Sequence, residues 1–350
     1  MISLGIRGLR RGIPITKAMG NLCSRNHSFS RHLSRNSPNA SSSARRNYSE
    51  GGSHHLDRTA SEPRAQYPFW AVIRELWPIT PTIRGVRLEI DYETFFTGMP
   101  TDAEEQKQGK EILDSFPEDA VFDFKPGQWV DFLIPGTNMV GGYSMISLPN
   151  TLPMVDLAVK YSKHPPADWV TNQAKVGDRV VMKVGGNFVY ELPPAHQSAK
   201  LLLVAGGIGI NPLYAILQHL LSRANKHKIV LLYSAKTPEE LAFREHIQQL
   251  ALAHPDSLRV LFAVTGADVI AGGQDVSAKY VQDVTAGRCG VMSGRFCEDQ
   301  LGSSAEWIGD GRVDGVDVLV CGPQGMPETI QNQCVNVGIK ADNVRFEKWW

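Results

Sequence analysis

An excess of charge of either sign is the first thing this 350-residue sequence lacks: 36 lysines and arginines are matched by 36 aspartates and glutamates. A neutral chain has no electrostatic footprint for nucleic acid or for an anionic membrane surface, so neither is expected as a partner. Long apolar runs are missing as well. The most apolar stretch, LLLVAGGIGINPLYAIL, is broken by three glycines, Asn211 and Pro212, and a spanning helix needs roughly 20 apolar residues in a row. No membrane span is expected. Cysteine is scarce and scattered. Cys23, Cys289, Cys297, Cys321 and Cys334 form no CxxC pair and no ferredoxin-type spacing. An odd, dispersed set reads as reduced thiols rather than a disulfide framework, with no metal cluster expected. The ten histidines show no paired metal-ligand spacing and are read as surface or packing residues. No Ser-His-Asp arrangement stands out either.

Acidic residues are absent from the first 49 positions, which hold eight arginines (Arg7, Arg10, Arg11, Arg25, Arg31, Arg35, Arg45, Arg46) among many serines. Ile2, Leu4, Ile6, Leu9 and Ile13 could form one apolar stripe beside three of these arginines. Such a basic, serine-rich, amphipathic stretch has the composition of a mitochondrial presequence. A membrane potential that is negative on the matrix side would draw it inward. Arg46-Asn47-Tyr48-Ser49 resembles the processing-peptidase pattern, with cleavage before Ser49 and residues 1–48 removed. The alternative is a basic tail with no address. Residues 1–66 as a whole read as targeting tail and disordered linker, with the matrix as the expected compartment.

From residue 67 the pattern changes. PFWAVIRELWP, TIRGVRLEIDY, QWVDFLI, GYSMISL, PMVDLAVKY and DRVVMKV are short runs with period-two or β-branched character, divided by turns such as Pro126-Gly127 and Gly177-Asp178. Six such strands over 67–196 suggest a closed antiparallel barrel. Residues 97–119, polar and acidic, read as an exposed insertion. Over 197–350, strands alternate with helical patterns. KLLLVAGG is followed by a helical NPLYAILQHLLSRAN, KIVLLYSA by PEELAFREHIQQLALA, and LRVLFAVTG comes next. DVLVCG is then followed by MPETIQNQCVNVG and NVRFEKWW. That alternation implies right-handed βαβ crossovers and a mainly parallel sheet, whose ligands bind beyond the carboxyl ends of the strands.

Three motifs carry candidate chemistry. Gly206, Gly207, Ile208, Gly209, Ile210 and Asn211, followed by Pro212, lie between a strand and a helix. Glycines there let backbone approach a pyrophosphate, and the helix start offers free N–H groups to an anion. Asn211 could cap the helix and Pro212 suits its first turn. The pattern is not GxGxxG, so a tight turn without ligand remains open. Cys321-Gly322-Pro323 stands at a second strand-to-helix turn; it leaves room for a flat ring, or it is a buried structural cysteine. Gly142-Tyr143-Ser144 offers a ring and a hydroxyl, or is simply a strand.

In order along the chain, Phe124-Lys125-Pro126-Gly127-Gln128, Tyr143-Ser144, Gly177-Asp178, Gly185-Gly186-Asn187-Phe188, GGIGINP and CGPQGM resemble the ferredoxin–NADP reductase family, from Pro68 to the C-terminus. The resemblance implies an FAD-binding barrel, a nicotinamide-binding α/β domain, and two rings meeting between them. It places Tyr143 on the isoalloxazine and Ser144 near its N5. Gly185, Gly186 and Asn187 fall by the FAD pyrophosphate, and Gly206 to Asn211 on the dinucleotide phosphates. Cys321, with Gly322 and Pro323, falls beside the nicotinamide, and Glu347 with Trp349 or Trp350 over the flavin. Ser144, Cys321 and Glu347 become the candidate catalytic residues. The implied function is hydride transfer between NAD(P)H and FAD, with electrons passed to an unknown acceptor, a small molecule or a redox protein. No arginine directly follows the second α/β strand, where only Ser234, Lys236 and the more distant Arg244 are cationic or polar candidates; the reading favours NAD, with NADP open. One position departs from the family. Where it carries an arginine for the FAD pyrophosphate, this chain has Gly141. Losing a charge-assisted bond costs about 1.5–3 kcal/mol, roughly one to two decades of affinity. That departure is what a non-catalytic nucleotide-binding or assembly protein with the same fold would show.

Overall fold

A computed structural model describes residues 55–95, 120–137, 139–192, 194, 197–223, 227–266 and 289–348. In the first half, β1 (Phe69–Thr80), β2 (Ile83–Phe95), β3 (Trp129–Leu133), β4 (Val140–Ser144), β5 (Met154–Lys160) and β6 (Arg179–Gly185) form one antiparallel sheet in the order β4-β3-β6-β1-β2-β5. Its two end strands meet through a Met145–Leu157 bridge and an Ile146 N–H to Asp156 C=O bond of 2.9 Å, so the sheet closes on itself. Alternation along each strand decides which side is filled. Ala71, Ile73, Val86, Leu88, Phe132 and Met182 all point into one buried cluster, as period two demands of a half-buried strand. Two short helical turns join this half, α1 (His55–Arg58) and α2 (Pro165–Asp168).

The second half is a six-stranded sheet, parallel throughout, of β7 (Lys200–Gly206), β8 (Lys228–Ala235), β9 (Leu258–Val264), β10 (Cys289–Ser293), β11 (Asp317–Cys321) and β12 (Val344–Glu347), in the order β10-β9-β8-β7-β11-β12. Helices α3 (Ile210–Leu221) and α4 (Arg244–Ala253) cover one face; α5 (Glu298–Ile308) and α6 (Met326–Asn336) cover the other. With both faces covered, the strands read as continuous apolar runs, which is why KLLLVAG shows no alternation. The chain leaves β7 in one direction and returns on its other side at β11. The switch point, where open α/β sheets hold ligands, therefore lies between β7 and β11.

Helix α3 joins the halves. Leu213, Ile216 and Leu217 share one buried cluster with Ile83, Ile146 and Ala158 of the barrel. Gln218 donates to the Ile146 carbonyl at 3.1 Å. On the barrel rim, Glu240 accepts from Thr82 at 2.6 Å and pairs with Lys160 at 3.1 Å.

The six barrel strands and the α/β alternation match the pattern expected of the sequence. Three local expectations need correction. Residues 55–66 are no linker: from His55 the chain is packed against the barrel. The expected helix over 238–253 breaks, with a 3-10 turn at Pro238–Glu240 and Phe243 in the left-handed region at φ 60° before α4 begins. Leu241 and Ala242 are buried there, and Ala242 N–H donates to the Tyr233 hydroxyl at 3.0 Å. Tertiary contacts thus override local propensity. The strand expected over 142–148 ends at Ser144. Finally, β10 and α5 carry no earlier expectation.

Candidate functional site

The glycine turn after β7 and the Cys321-Gly322-Pro323 turn after β11 lie against each other at the switch point. A Cβ on Gly206 would stand 2.6 Å from Met326 Sδ and 2.7 Å from Pro323 Cδ, and one on Gly209 would collide with the Cys321 carbonyl. Those glycines let two strand-to-helix turns touch. Gly207 differs: its φ is +54° and a Cβ there would meet nothing within 4 Å. It is the one of the three that faces open space. Ile210 is buried and Ile208 partly so, both in the core shared with α3. Asn211 does not cap. The helix begins after Gly209 with no side-chain cap bond; Asn211 sits inside the first turn, and its Nδ2 donates to the Ala158 carbonyl of β5 at 2.8 Å. Its Oδ1 is buried with no hydrogen-bond partner among the described residues.

Cys321 ends β11, fully buried, in register with Ala205 on one side and Glu347 on the other. Glu347 ends β12. Burial, and then the nearby Glu62 carboxylate, push its carboxyl up to about 8, against the opposing pull of the Trp129 indole N–H. Trp129 starts β3, is fully buried, and is in register with both Ser144 and Gly185. A Cβ on Gly185 or Gly186 would collide with its ring. Cys321, Glu347, Trp129, Ser144, Gly185 and Gly186 therefore form one unbroken line of neighbours from the parallel sheet to the barrel. Asn187, next in sequence, is exposed.

Tyr143 points the other way from Ser144, as consecutive strand residues must. It pairs with Val130 and meets Phe132 edge-on, with centroids 5.5 Å apart. Its ring lies over Gly141, where a Cβ would stand 2.7 Å from the Tyr143 hydroxyl. An arginine at position 141 and Tyr143 in this position exclude each other. Burial holds the phenol well above its ordinary range, and its hydroxyl has no partner among the described residues. Trp349 and Trp350 lie outside the described residues.

Sequence reasoning missed a layer of side chains over this face. Asp131, one register step from Trp129, accepts from His55 at 2.9 Å and from Arg64 at 2.7 Å. His55 fills the notch left by Gly142 and stands edge-on to Trp129 at 5.0 Å. Beyond Arg64, Ala65 N–H donates to Val184 C=O at 2.8 Å, and Gly186 N–H donates to Pro63 C=O at 2.9 Å. Burial raises the Asp131 carboxyl, but the His55 and Arg64 bonds outweigh it and leave it lowered. One clue was legible: Gln128, in the motif Pro126-Gly127-Gln128, donates to the Gly186 carbonyl at 2.7 Å, which ties two of the recognised motifs together beside Trp129.

Among the described residues, no group of three or more His, Cys, Asp or Glu side chains could hold a metal ion, and no helix is long and apolar enough to cross a membrane.

Residues 203–332 match the family model described as the oxidoreductase NAD-binding domain. Of solved structures, a ferredoxin–NADP+ reductase from Plasmodium falciparum superposes with a TM-score of 0.56 at 12% identity, covering 81% of this chain and 96% of that one. Together with the two sheets, this establishes a ferredoxin reductase-like fold. Among curated proteins, oxidoreductase NAD-binding domain-containing protein 1 of Danio rerio is 33% identical over 85% of this chain and 97% of its own length. The Homo sapiens protein of that name is 31% identical over 85% of this chain and 84% of its own. With identity of that level across nearly the whole length of a relative, the chain belongs to the family of oxidoreductase NAD-binding domain-containing protein 1.

Proposed function

We propose that this protein moves a hydride between NAD(P)H, with NAD favoured, and FAD, and passes the electrons to a separate acceptor, a small molecule or a redox protein. The observation that carries the reading is the line from Cys321 through Glu347 and Trp129 to Ser144, which joins the switch point of the parallel sheet to the barrel. On this reading 67–196 is the FAD-binding domain and 197–350 the NAD(P)-binding domain.

The nucleotide side fits a dinucleotide. Gly207 is open at positive φ, and the start of α3 presents backbone N–H groups that an anion can accept. The barrel side fits FAD in one respect: the buried, unpartnered Tyr143 hydroxyl on β4. Strand β4 ends the sheet, so a ring reaching its edge can meet Tyr143 on one face and Ser144 on the other. When bound, FAD supplies the hydride-accepting ring. The chain itself supplies orientation and exclusion of water. Gly206 to Asn211 hold phosphates, Cys321 with Gly322 and Pro323 sets the wall beside the nicotinamide, Ser144 donates a hydrogen bond, and Glu347 closes the site. Gly185, Gly186 and Asn187 line the pyrophosphate side.

A second reading, a nucleotide-binding or assembly protein without catalysis, is favoured by Gly141, where Tyr143 itself occupies the space of the family's arginine. Anaerobic addition of NADH to the protein from residue 50 onward separates the two. A yellow protein that bleaches supports hydride transfer. A colourless protein that takes up no added FAD leaves the second reading. The basic stretch of residues 1–48 lies outside the described residues; we infer from its composition that it directs the chain to the mitochondrial matrix. A fluorescent fusion that stays cytosolic would sink that inference.

A further inference from the structure

Consecutive strand residues alternate between faces. With Val130 and Phe132 in the barrel core, Trp129 and Asp131 stand on its outer face, together with their register partners Gly142 and Gly185. Segment 55–65 spans that face from β4 to β6. At β4, His55 fills the notch of Gly142, where a Cβ would collide with the imidazole. At β3, the Arg64 guanidinium makes five hydrogen bonds. Nε donates to Asp131 at 2.7 Å, and Nη2 to Asp131 at 3.3 Å and to the Thr59 hydroxyl at 2.5 Å. Nη1 donates to the Thr59 and Glu62 carbonyls at 2.7 and 3.3 Å. That is as many bonds as a guanidinium has N–H groups. At β6, Arg64 pairs with Gly185 in an antiparallel bridge, flanked by Ala65 N–H to Val184 C=O at 2.8 Å and Gly186 N–H to Pro63 C=O at 2.9 Å. Two of these contacts have the chemistry of an anion site satisfied from within. Asp131 is a carboxylate seated on a guanidinium, a pairing that phosphate also makes. Pro63 gives a carbonyl oxygen to a main-chain N–H at a glycine turn, where a phosphate oxygen is otherwise received.

We propose that segment 55–65 is an internal competitor of FAD. Docked, it closes the face from Gly142 to Gly186 with its own imidazole and carbonyl, and FAD binds there only when the segment lifts. The inference rests on the proposed function, which assigns Gly185, Gly186 and Asn187 to the FAD pyrophosphate. Segment and cofactor are alternatives for one N–H and one strip of barrel surface. The apparent affinity for FAD is therefore reduced by the fraction of chains in which the segment is lifted. Arg64 makes more side-chain bonds than any other residue of the segment, so it is the positioning residue that sets this fraction. It acts on the cofactor through the segment and not by contact.

Two measurements on the protein from residue 50 onward test this, and neither reads activity. In the first, FAD is titrated against the unaltered protein and against Arg64→Ala, followed by flavin fluorescence. Asp131 keeps its His55 bond in the variant, and the dissociation constant should fall by about tenfold or more. In the second, amide exchange at Ala65, referenced to Leu203 inside the parallel sheet, is compared in the unaltered protein with and without saturating FAD. It should accelerate with FAD, because lifting the segment breaks the Ala65 bond to Val184. A segment that is simply part of the wall would exchange at the same rate or more slowly once the ligand is in place. Equal FAD binding by the two proteins overturns the proposal. Weaker binding by Arg64→Ala overturns it too, and makes Arg64 a ligand of the phosphates. Ala65 exchange that FAD leaves unchanged or slows overturns it without the variant, so a variant that fails to fold still leaves a decision. If neither protein binds FAD, the competitor falls together with the assignment of this face to FAD, an outcome distinct from equal binding.

Discussion

The two sides of the site use glycine in the same way and to different ends. On the parallel-sheet side, Gly206 and Gly209 let one turn of the chain touch another, and Gly207 is left facing open space. On the barrel side, the spaces beside Gly142, Gly185 and Gly186 are filled by the protein's own rings, those of His55 and Trp129. A glycine in a sequence announces that something comes close to the backbone. It does not say whether that thing is a ligand, another turn or an indole. On the nucleotide side the surrounding strand-and-helix pattern supplied the answer. On the barrel side the filling side chains come from distant positions, and nothing local points to them.

The comparison breaks first at Trp129. If the ring is a structural filler of the Gly185–Gly186 notch, Trp129→Ala should destabilise the protein by about 3–5 kcal/mol. The loss should show as a lower urea midpoint, with an unchanged slope. A loss under 1 kcal/mol would mean that the notch is not held by the indole and is free for other occupants.

The nucleotide side sharpens the contrast through two neighbouring glycines. Gly209→Ala drives a methyl into the backbone carbonyl of Cys321, which cannot rotate away, so a loss of about 1–3 kcal/mol is expected together with weaker nucleotide binding. Gly207→Ala meets no atom and carries only the conformational penalty of positive φ, about 1–2 kcal/mol. Binding isotherms for NADH, set beside unfolding curves, distinguish the two. If Gly207→Ala weakens binding no more than it weakens the fold, Gly207 does not face the ligand.

Much of the fold was legible because its signals are periodic and local. Strand alternation in the barrel, continuous apolar strands in the parallel sheet, and glycines at β7 and β11 each follow from a few adjacent residues. What was not legible is what depends on distant partners. Residues 55–66 look like linker in composition, yet Asp131 gives His55 and Arg64 a buried anchor 76 and 67 positions away. Asn211 has the chemistry of a cap, but the barrel carbonyl of Ala158 takes its amide instead. Tyr143 reads as a stacking ring beside Ser144. Strand geometry sends the two to opposite faces, and Gly141 makes the room that Tyr143 uses. The role of Glu347 rests on a family likeness in sequence, while its environment, set by Glu62 and Trp129, appears only in three dimensions.

The last effect, which depends on pH, is the one that binds both sides together. Glu347 ionises at an ordinary 4.5 when unfolded and near 8 when folded. Between those values the native state holds a proton that the unfolded chain has lost, so stability is complete below about 4.5 and falls as pH rises towards 8. Asp131 works in the opposite sense. Its folded value lies below 3.8, so the stability it provides is present above that pH and is lost as acid protonates it. The anchor of segment 55–65 at Asp131 is therefore loosened by acid, while the ionisation of Glu347 at the end of β12 weakens the fold in alkali. Glu347→Gln should flatten the alkaline decline in urea midpoint while leaving the acid limb intact, and Asp131→Asn should do the reverse from a lower plateau. If Glu347→Gln leaves the decline from 4.5 to 8 unchanged, the barrel and the parallel sheet are not coupled through this carboxyl, and the line of neighbours from Cys321 to Ser144 is contact without energetic consequence.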